Sequence, residues 1–436
     1  MSDCNLTKLY IKKLHFPEAV VLFMVLLPFA FGFLFDFLGL PDIFKYLLDV
    51  MWIILFATLF LKKYIHLHKE IIPLFVTVIL FFLYTFVLYL LNYQSIFYYV
   101  WGLRNNFRFY IYFFAVCLLF SEDDANAVYK MFDILFWINA IVTFIQYFAL
   151  GYNQDRLGGI FGVQVGVNGY TIIFFVIVLS RSLLSYMSKV ESTFSCFSKC
   201  IVALVISAIA ELKVFYIIFL IILGLSALLT EFTWRKFLVL AIGAVCAILG
   251  SILLSMLFDF ENSLSLKYIW ELATQEHYTT KGTVNRLSAI PVLARTVLKE
   301  FSERLFGLGL GNCDTSSLEI FNTPFFNSHS GLRYHWFSCA VMFLETGYMG
   351  ILIYIAFFVI CCLILRKKLI EHIGNRLFSQ MAIIMVVICM ILFFYNGSLR
   401  TESAYMIYFV LAIPFINVDR EISADEARIN SEITYS

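Results

Sequence analysis

Seven basic residues and two histidines are the groups in this 436-residue chain whose types and spacing could do chemistry. Arg104, Arg108, Arg156, Lys213 and Arg400 each sit at the edge of an apolar run, and Arg286 and Arg333 lie in the longest polar segment. A guanidinium presents a planar fork that pairs bidentately with phosphate, so such residues gathered at a membrane boundary would suit a phosphorylated lipid headgroup. Loop solvation or snorkelling is the alternative for each one. His329 and His335 fall in NSHSGLRYHWFSCAVMFLETGYMG (327–350), where His335 is close to Arg333 and about three turns ahead of Glu345 on a continuing helix. A neutral imidazole near its ordinary pKa of about 6.5 could take a proton from a hydroxyl. Glu303, Asp314 and Glu345 are carboxylate alternatives in the same stretch.

The elements that must position these groups are membrane-spanning helices. At 62% hydrophobic and only 14% charged, with mean hydropathy +0.88, the chain is far from a soluble composition, in which about a quarter of residues are charged. Its 49 Phe, 25 Tyr and 6 Trp suit a lipid-facing surface with interfacial belts, and a net charge of +1 gives no reason to expect nucleic acid. The expected fold is an all-α polytopic membrane protein. Apolar runs at 17–35, 43–61, 71–91, 107–120, 131–150, 163–180, 201–211, 213–229, 237–258, 336–363, 378–395 and 403–417 predict twelve spans. The pair within 201–229 is short and interrupted by Glu211 and Lys213, so it could equally be a helical hairpin or one long span carrying charges.

This divides the chain into spans 1 to 9 (1–258), a large loop (259–335), spans 10 to 12 (336–418) and a tail (419–436). With the N-terminus in the cytoplasm, 18 of the 31 Lys and Arg fall in cytoplasmic pieces, six at short outside loops and seven in the large loop. Because the positive-inside bias counts short loops, both termini are expected in the cytoplasm and the large loop outside. The N-terminal run from Val20 follows Lys8, Lys12 and Lys13 without a small-residue cleavage site, so it is expected to stay as an anchor. Within the loop, Val284–Phe301 has apolar residues at helical spacing and predicts an amphipathic surface helix.

Other motifs carry less. Ten Cys are scattered through apolar runs without metal-ligand spacing, as small hydrophobic side chains would be, and no metal or cofactor is indicated. LFGLGLGN (305–312) lacks the strand–turn–helix setting of a nucleotide loop and is expected to form a tight turn with close backbone approach. His66 and His68, beside Lys62 and Lys63, are most simply interfacial.

The order of RLGGIFGVQVGVNGY (156–170), AELKVF (210–215), NRLSAIPVLARTVLKEFSERLFGLGLGN (285–312) and HWFSCAVMFLETGYMG (335–350) resembles the O-antigen ligase and Wzy-type polymerase superfamily over roughly residues 156–355. The resemblance implies a metal-independent, membrane-embedded glycosyltransferase on the periplasmic face of the bacterial inner membrane. Its donor would be an oligosaccharide on undecaprenyl diphosphate and its acceptor a growing glycan. A chain-length regulator and a flippase would be its membrane partners. Arg156 and Asn168 match the family's Arg-Gly-Asn stretch, Arg286 the Arg opening the large-loop helix, and His335 the His before the Glu-x-Gly helix start. Lys213 stands where many members carry Arg. The spacing from His335 to Glu345 is about one residue longer than the family pattern, which keeps His329 open as the base.

On this reading His335, Arg286 and Glu345 are the catalytic candidates, and Arg156, Asn168, Lys213, Arg333 and Arg400 bind diphosphate or glycan. Expelling a diphosphate builds negative charge that fixed cations must compensate. The expected activity is polymerisation of lipid-linked repeat units into O-antigen or capsule. Alternatives are a ligase that transfers glycan to a lipid A core and, from another class, a lipid-linked oligosaccharide flippase. A flippase would normally show two related halves, and the chain has no internal repeat.

Overall fold

The structure is a computed structural model that describes residues 15–61, 69–231, 234–257, 275, 282–316 and 321–416. Lys8, Lys12, Lys13, Lys62, Lys63, His66, His68, most of 259–281 and the tail 419–436 lie outside the described residues. Among those described, the protein is helical with no strand, and five helices are long and apolar enough to cross a membrane. These five are α3 (Ile72–Leu91), α5 (Glu122–Phe148), α6 (Asn168–Met187), α13 (Ser338–Glu371) and α14 (Arg376–Tyr395). Shorter apolar helices are α1 (Phe16–Leu26), α7 (Thr193–Ile209), α8 (Lys213–Leu229) and α15 (Ala404–Ala412). Also present are α2 (Leu47–Leu61), α4 (Ile96–Leu119), α9 (Trp234–Leu257) and, in the large loop, α10 (Ala289–Thr296), α11 (Phe301–Phe306) and α12 (Pro324–His329).

The helices run up and down, and their order in space follows burial. Along its apolar stretch α6 is 89% buried and α14 72%, whereas α3 is only 33% buried, so α6 and α14 form the centre and α3 the rim. α13 packs on α14 and α3, α15 on α4, and α6 on α8 and α14. The rim faces of α3 carry exposed Leu80, Leu83, Val87 and Leu90, as a lipid-facing surface requires. Boundaries are set by local chemistry. Ser121 caps α5 by accepting from the Asp124 N–H at 3.3 Å while the Asp124 carboxylate accepts from the Ser121 N–H at 3.0 Å. Asn375 caps α14 through the N–H groups of Leu377 and Phe378.

Several expectations change. The run 201–229 is two antiparallel helices, turned at Glu211 with φ +55°. α4 begins at Ile96, eleven residues before the apolar run expected at 107, so Arg104 and Arg108 are helix residues and not loop residues. The amphipathic helix is shorter than Val284–Phe301, and only Ala289–Thr296 is regular before the chain turns into α11. His335 does not share a helix with Glu345: it lies in a 3-10 turn (Tyr334–Trp336), and α13 begins at Ser338.

α13 is itself broken at Gly347, where φ is +62° and ψ −167°. The break leaves the carbonyls of Leu344 and Glu345 without their usual partners one turn on, and the glycine loop takes them. Leu308 N–H donates to Leu344 at 2.8 Å and Gly309 N–H to Glu345 at 2.9 Å. On its other side the loop presses on α4: Gly311 has φ +84°, and a Cβ there would overlap the Tyr98 carbonyl. The glycine string is thus a backbone wedge between α4 and α13, and it delivers Asp314 three residues later.

Candidate functional site

Around the glycine wedge, which touches α4 and α13, most of the sequence-predicted groups are arranged in three tiers. The deepest tier is an ion cluster. Arg104 grips Asp49 of α2 with both Nε (2.8 Å) and Nη2 (2.7 Å). Arg108, 1% exposed, lies 3.5 Å from Asp49 and 3.3 Å from Glu402, and its Nη2 also donates to the Arg400 carbonyl at 3.3 Å. Tyr170 of α6 donates its hydroxyl to Glu402 at 2.9 Å. Burial alone would raise the Glu402 carboxyl, but Arg108 and Arg104, with the Tyr170 hydroxyl, hold it at about 2.

The middle tier centres on Asp314. Its Oδ2 accepts from Asn105 at 2.6 Å and from Arg400 at 2.8 Å, and Asn105 in turn accepts from Arg104 at 2.5 Å, joining the two tiers. Burial opposes the Arg400 charge, yet Asp314 and Glu345 together hold its pKa above the ordinary value. Glu345 is 1% exposed, lies beside the backbone N–H groups of Gly311 and Cys313, and its Oε1 has no hydrogen-bond partner among the described residues.

The outer tier is the surface around His335. Tyr334 anchors it by donating to the Cys313 carbonyl at 2.6 Å, and the Ser338 hydroxyl donates to the Asn396 carbonyl at 2.9 Å. The half-buried imidazole meets the Phe326 ring edge-on at 5.3 Å, and its buried Nδ1 has no hydrogen-bond partner among the described residues. Burial first, then Arg333 and Arg400 against the pull of Asp314, lower its pKa to about 4, so the ring is neutral at pH 7. Arg333 is exposed, in the left-handed region (φ +55°), with its guanidinium 5.5 Å from the Trp336 ring centroid. Arg286 lies 4.5 Å over the ring of Tyr395, at the end of α14. The turn that follows Tyr395 backs onto His335, since a Cβ on Gly397 would be 3.8 Å from the His335 carbonyl. Arg286 and His335 therefore flank one turn, and the pairing of Val284 N–H with the Leu332 carbonyl at 3.0 Å ties their segments together.

The expectation of one open cationic patch is corrected. Arg104, Arg108 and Arg400 are consumed by Asp49, Glu402 and Asp314, because a guanidinium inside a bundle must be paired. Lys213 pairs with Glu211 at 2.9 Å on the α7–α8 turn at the same end. Arg156 is exposed in a 3-10 turn, and Asn168 at the start of α6 donates to Asp155 at 2.7 Å. Glu303 is occupied in capping its own helix, at 3.2 Å from the Glu300 N–H. His329 is stacked on Phe325 at 4.3 Å with Nδ1 engaged by Ser328 at 2.8 Å. Asp49, Asn105, Tyr170 and Glu402 were missed because only basic residues were sorted by side. Asp49 inside an apolar run was the available signal, since such a carboxylate needs a buried cation. Compared with known proteins, the chain matches no family model and no curated sequence.

Proposed function

We propose that the chain is a membrane-embedded glycosyltransferase that polymerises repeat units carried on undecaprenyl diphosphate, working at the outer face of a bacterial inner membrane. The observation that carries this reading is the neutral, half-buried His335, whose Nδ1 has no hydrogen-bond partner among the described residues, set between surface Arg333 and the Asp314–Arg400 pair. In the reaction an acceptor hydroxyl loses its proton to His335 while its oxygen forms the new bond to the donor's anomeric carbon. The bond to the diphosphate oxygen breaks, and the lipid diphosphate leaves with that electron pair. Arg286 and Arg333, the guanidinium groups of this surface, meet the growing charge.

A ring with a pKa of about 4 is neutral but weakly basic. A diphosphate seated against Arg333 cancels the cation that depresses the ring, so donor binding raises the basicity of His335 when the acceptor hydroxyl needs it. Glu345 and Asp314, both buried, act as positioning residues that hold the glycine wedge and Arg400 behind the imidazole. The count of 18 basic residues in the expected cytoplasmic pieces against six at the short outside loops supports a site facing outward and both termini inside.

Deletion of the gene, followed by gel separation of surface glycan, tests the reading. A single repeat unit remaining on the lipid core is the expected result. Full-length polymer stranded on the carrier lipid would instead mark a ligase, and loss of every translocated unit a flippase. His335→Ala and Arg286→Ala, checked for membrane insertion, should each reproduce the deletion; normal chain length in both overturns the assigned site.

A further inference from the structure

A cavity of about 390 Å³ opens beside the outer tier, between the end of α10 and the segment leading to His335. One wall is aliphatic, made by Val292, Val297 and Leu332, and the other presents the hydroxyls of Thr296 and Ser328 and the imidazole of His329. Among the described residues no charged side chain lines it. With Nδ1 of His329 occupied by Ser328 and the Phe325 carbonyl, the ring's Nε2 makes no hydrogen bond within the described residues. Leu332 precedes His335 by three residues, which limits the separation along the chain to roughly 11 Å.

We infer that this cavity is a subsite for a neutral glycosyl unit of the growing acceptor, one or two sugars behind the hydroxyl that reacts at His335. A volume of this size is in the range of small-ligand sites. The lining matches a sugar, which offers a C–H face to aliphatic side chains and a ring of hydroxyls to polar ones. It does not match a diphosphate, which would meet no cation among the described lining residues and is served by Arg286 and Arg333 instead. A grip on the preceding sugars presents the terminal hydroxyl at an effectively intramolecular concentration, so the subsite governs how far a chain is extended. The inference rests on the polymerase reading.

Gly331, also in the lining, provides the test. A Cβ built there meets no atom within 4 Å, so Gly331→Trp can be accommodated by the fold while its indole occupies the cavity. The full-length chain is supplied as the only copy in the native host, with Gly224→Ala, on α8 outside the cavity lining and with open space for a Cβ, as control. Gly331→Trp is expected to shorten the modal glycan length several-fold and Gly224→Ala to leave it unchanged. Purified proteins are then examined by saturation-transfer NMR with the delipidated repeat-unit oligosaccharide released from the host's own glycan. Signal should persist in His335→Ala and vanish in Gly331→Trp. Should Gly331→Trp fail to reach the membrane, the double variant Thr296→Val/Ser328→Ala decides, with the same shortening and weakened signal expected. Wild-type chain length and undiminished NMR signal in the cavity variants, while His335→Ala loses polymer, would overturn the subsite and leave the polymerase standing. Unchanged glycan in the gene deletion itself would remove the polymerase reading, and the subsite with it.

Discussion

Glu402→Gln is the sharpest probe of the ion cluster beneath the site. The substitution keeps the side-chain shape and still offers an oxygen to the Tyr170 hydroxyl, but it removes the nearer of the charges that face Arg108, which is 1% exposed. The folded protein holds Glu402 at about 2 against an ordinary 4.5, which at about 1.4 kcal/mol per pH unit corresponds to about 3 kcal/mol at pH 7. Breaking a buried ion pair by removing one partner costs about 3–5 kcal/mol, in agreement. Spread over 436 residues with a typical unfolding entropy per residue, 3 kcal/mol lowers Tm by roughly 3 °C. The sign with pH follows from the depressed folded value: the contribution is complete above 4.5 and is lost as pH falls through about 2. Thermal unfolding of the purified protein in detergent at pH 7 and at pH 3 measures both effects. The variant should melt lower at pH 7 and lose less on acidification than the wild type. In a double-mutant cycle with Arg108→Gln, the two changes together should cost less than the sum of each alone. A variant that melts within 1 °C of wild type at pH 7 with the same acid sensitivity would refute the view that Glu402 and Arg108 stabilise this end of the bundle electrostatically.

Four further outcomes are expected. Gly311→Ala forces a side chain into a φ of +84° and against the Tyr98 carbonyl, so it should lower Tm and shorten surface glycan by displacing the segment that carries Asp314. Gly39→Ala, also at positive φ but in open space, should cost only the conformational part, about 1 kcal/mol, and leave glycan length intact. Polymerisation by purified protein at subsaturating donor should be level from pH 8 to pH 5 and fall as pH drops through about 4, where His335 of the free protein becomes protonated. Arg333→Ala should move that acid limb upward, and a limb already at 6.5 in the wild type would contradict the effect of burial and Arg333.

The helical class of the protein was legible from periodicity and composition because lipid leaves the backbone few other ways to satisfy its hydrogen bonds. Runs such as Ile72–Leu91 and Arg376–Tyr395 match their expected spans within a residue or two, since no charged residue interrupts the apolar stretch of either. The boundaries of α4 and α5 were not legible. Half-buried Arg104, buried Arg108 and the acidic first turn of α5 look like loop in a hydropathy window, and helix packing makes them helical. The glycine string was readable as a close turn, but not that it takes the carbonyls left by the break at Gly347, because those residues are some 35 positions apart.

For the candidate site, residue type alone singled out His335, Arg286 and Arg333 as groups with chemical potential, since imidazole and guanidinium carry their chemistry wherever they sit. Which arginines remain available is a matter of three dimensions. Arg104 and Arg400 are 296 residues apart in the chain, yet Asn105 and Asp314 link them at hydrogen-bond distance, and that linkage removes both from the surface. Charge in a low-dielectric bundle must find its counter-charge locally, and only the tertiary fold decides which neighbours are local. Composition and spacing determined that this chain is a helical membrane protein and named its reactive groups. The packing of α2, α4, α6, α13 and α15 decided that Arg104, Arg108 and Arg400 are paired scaffold, and that His335 stands neutral near the surface beside exposed Arg333.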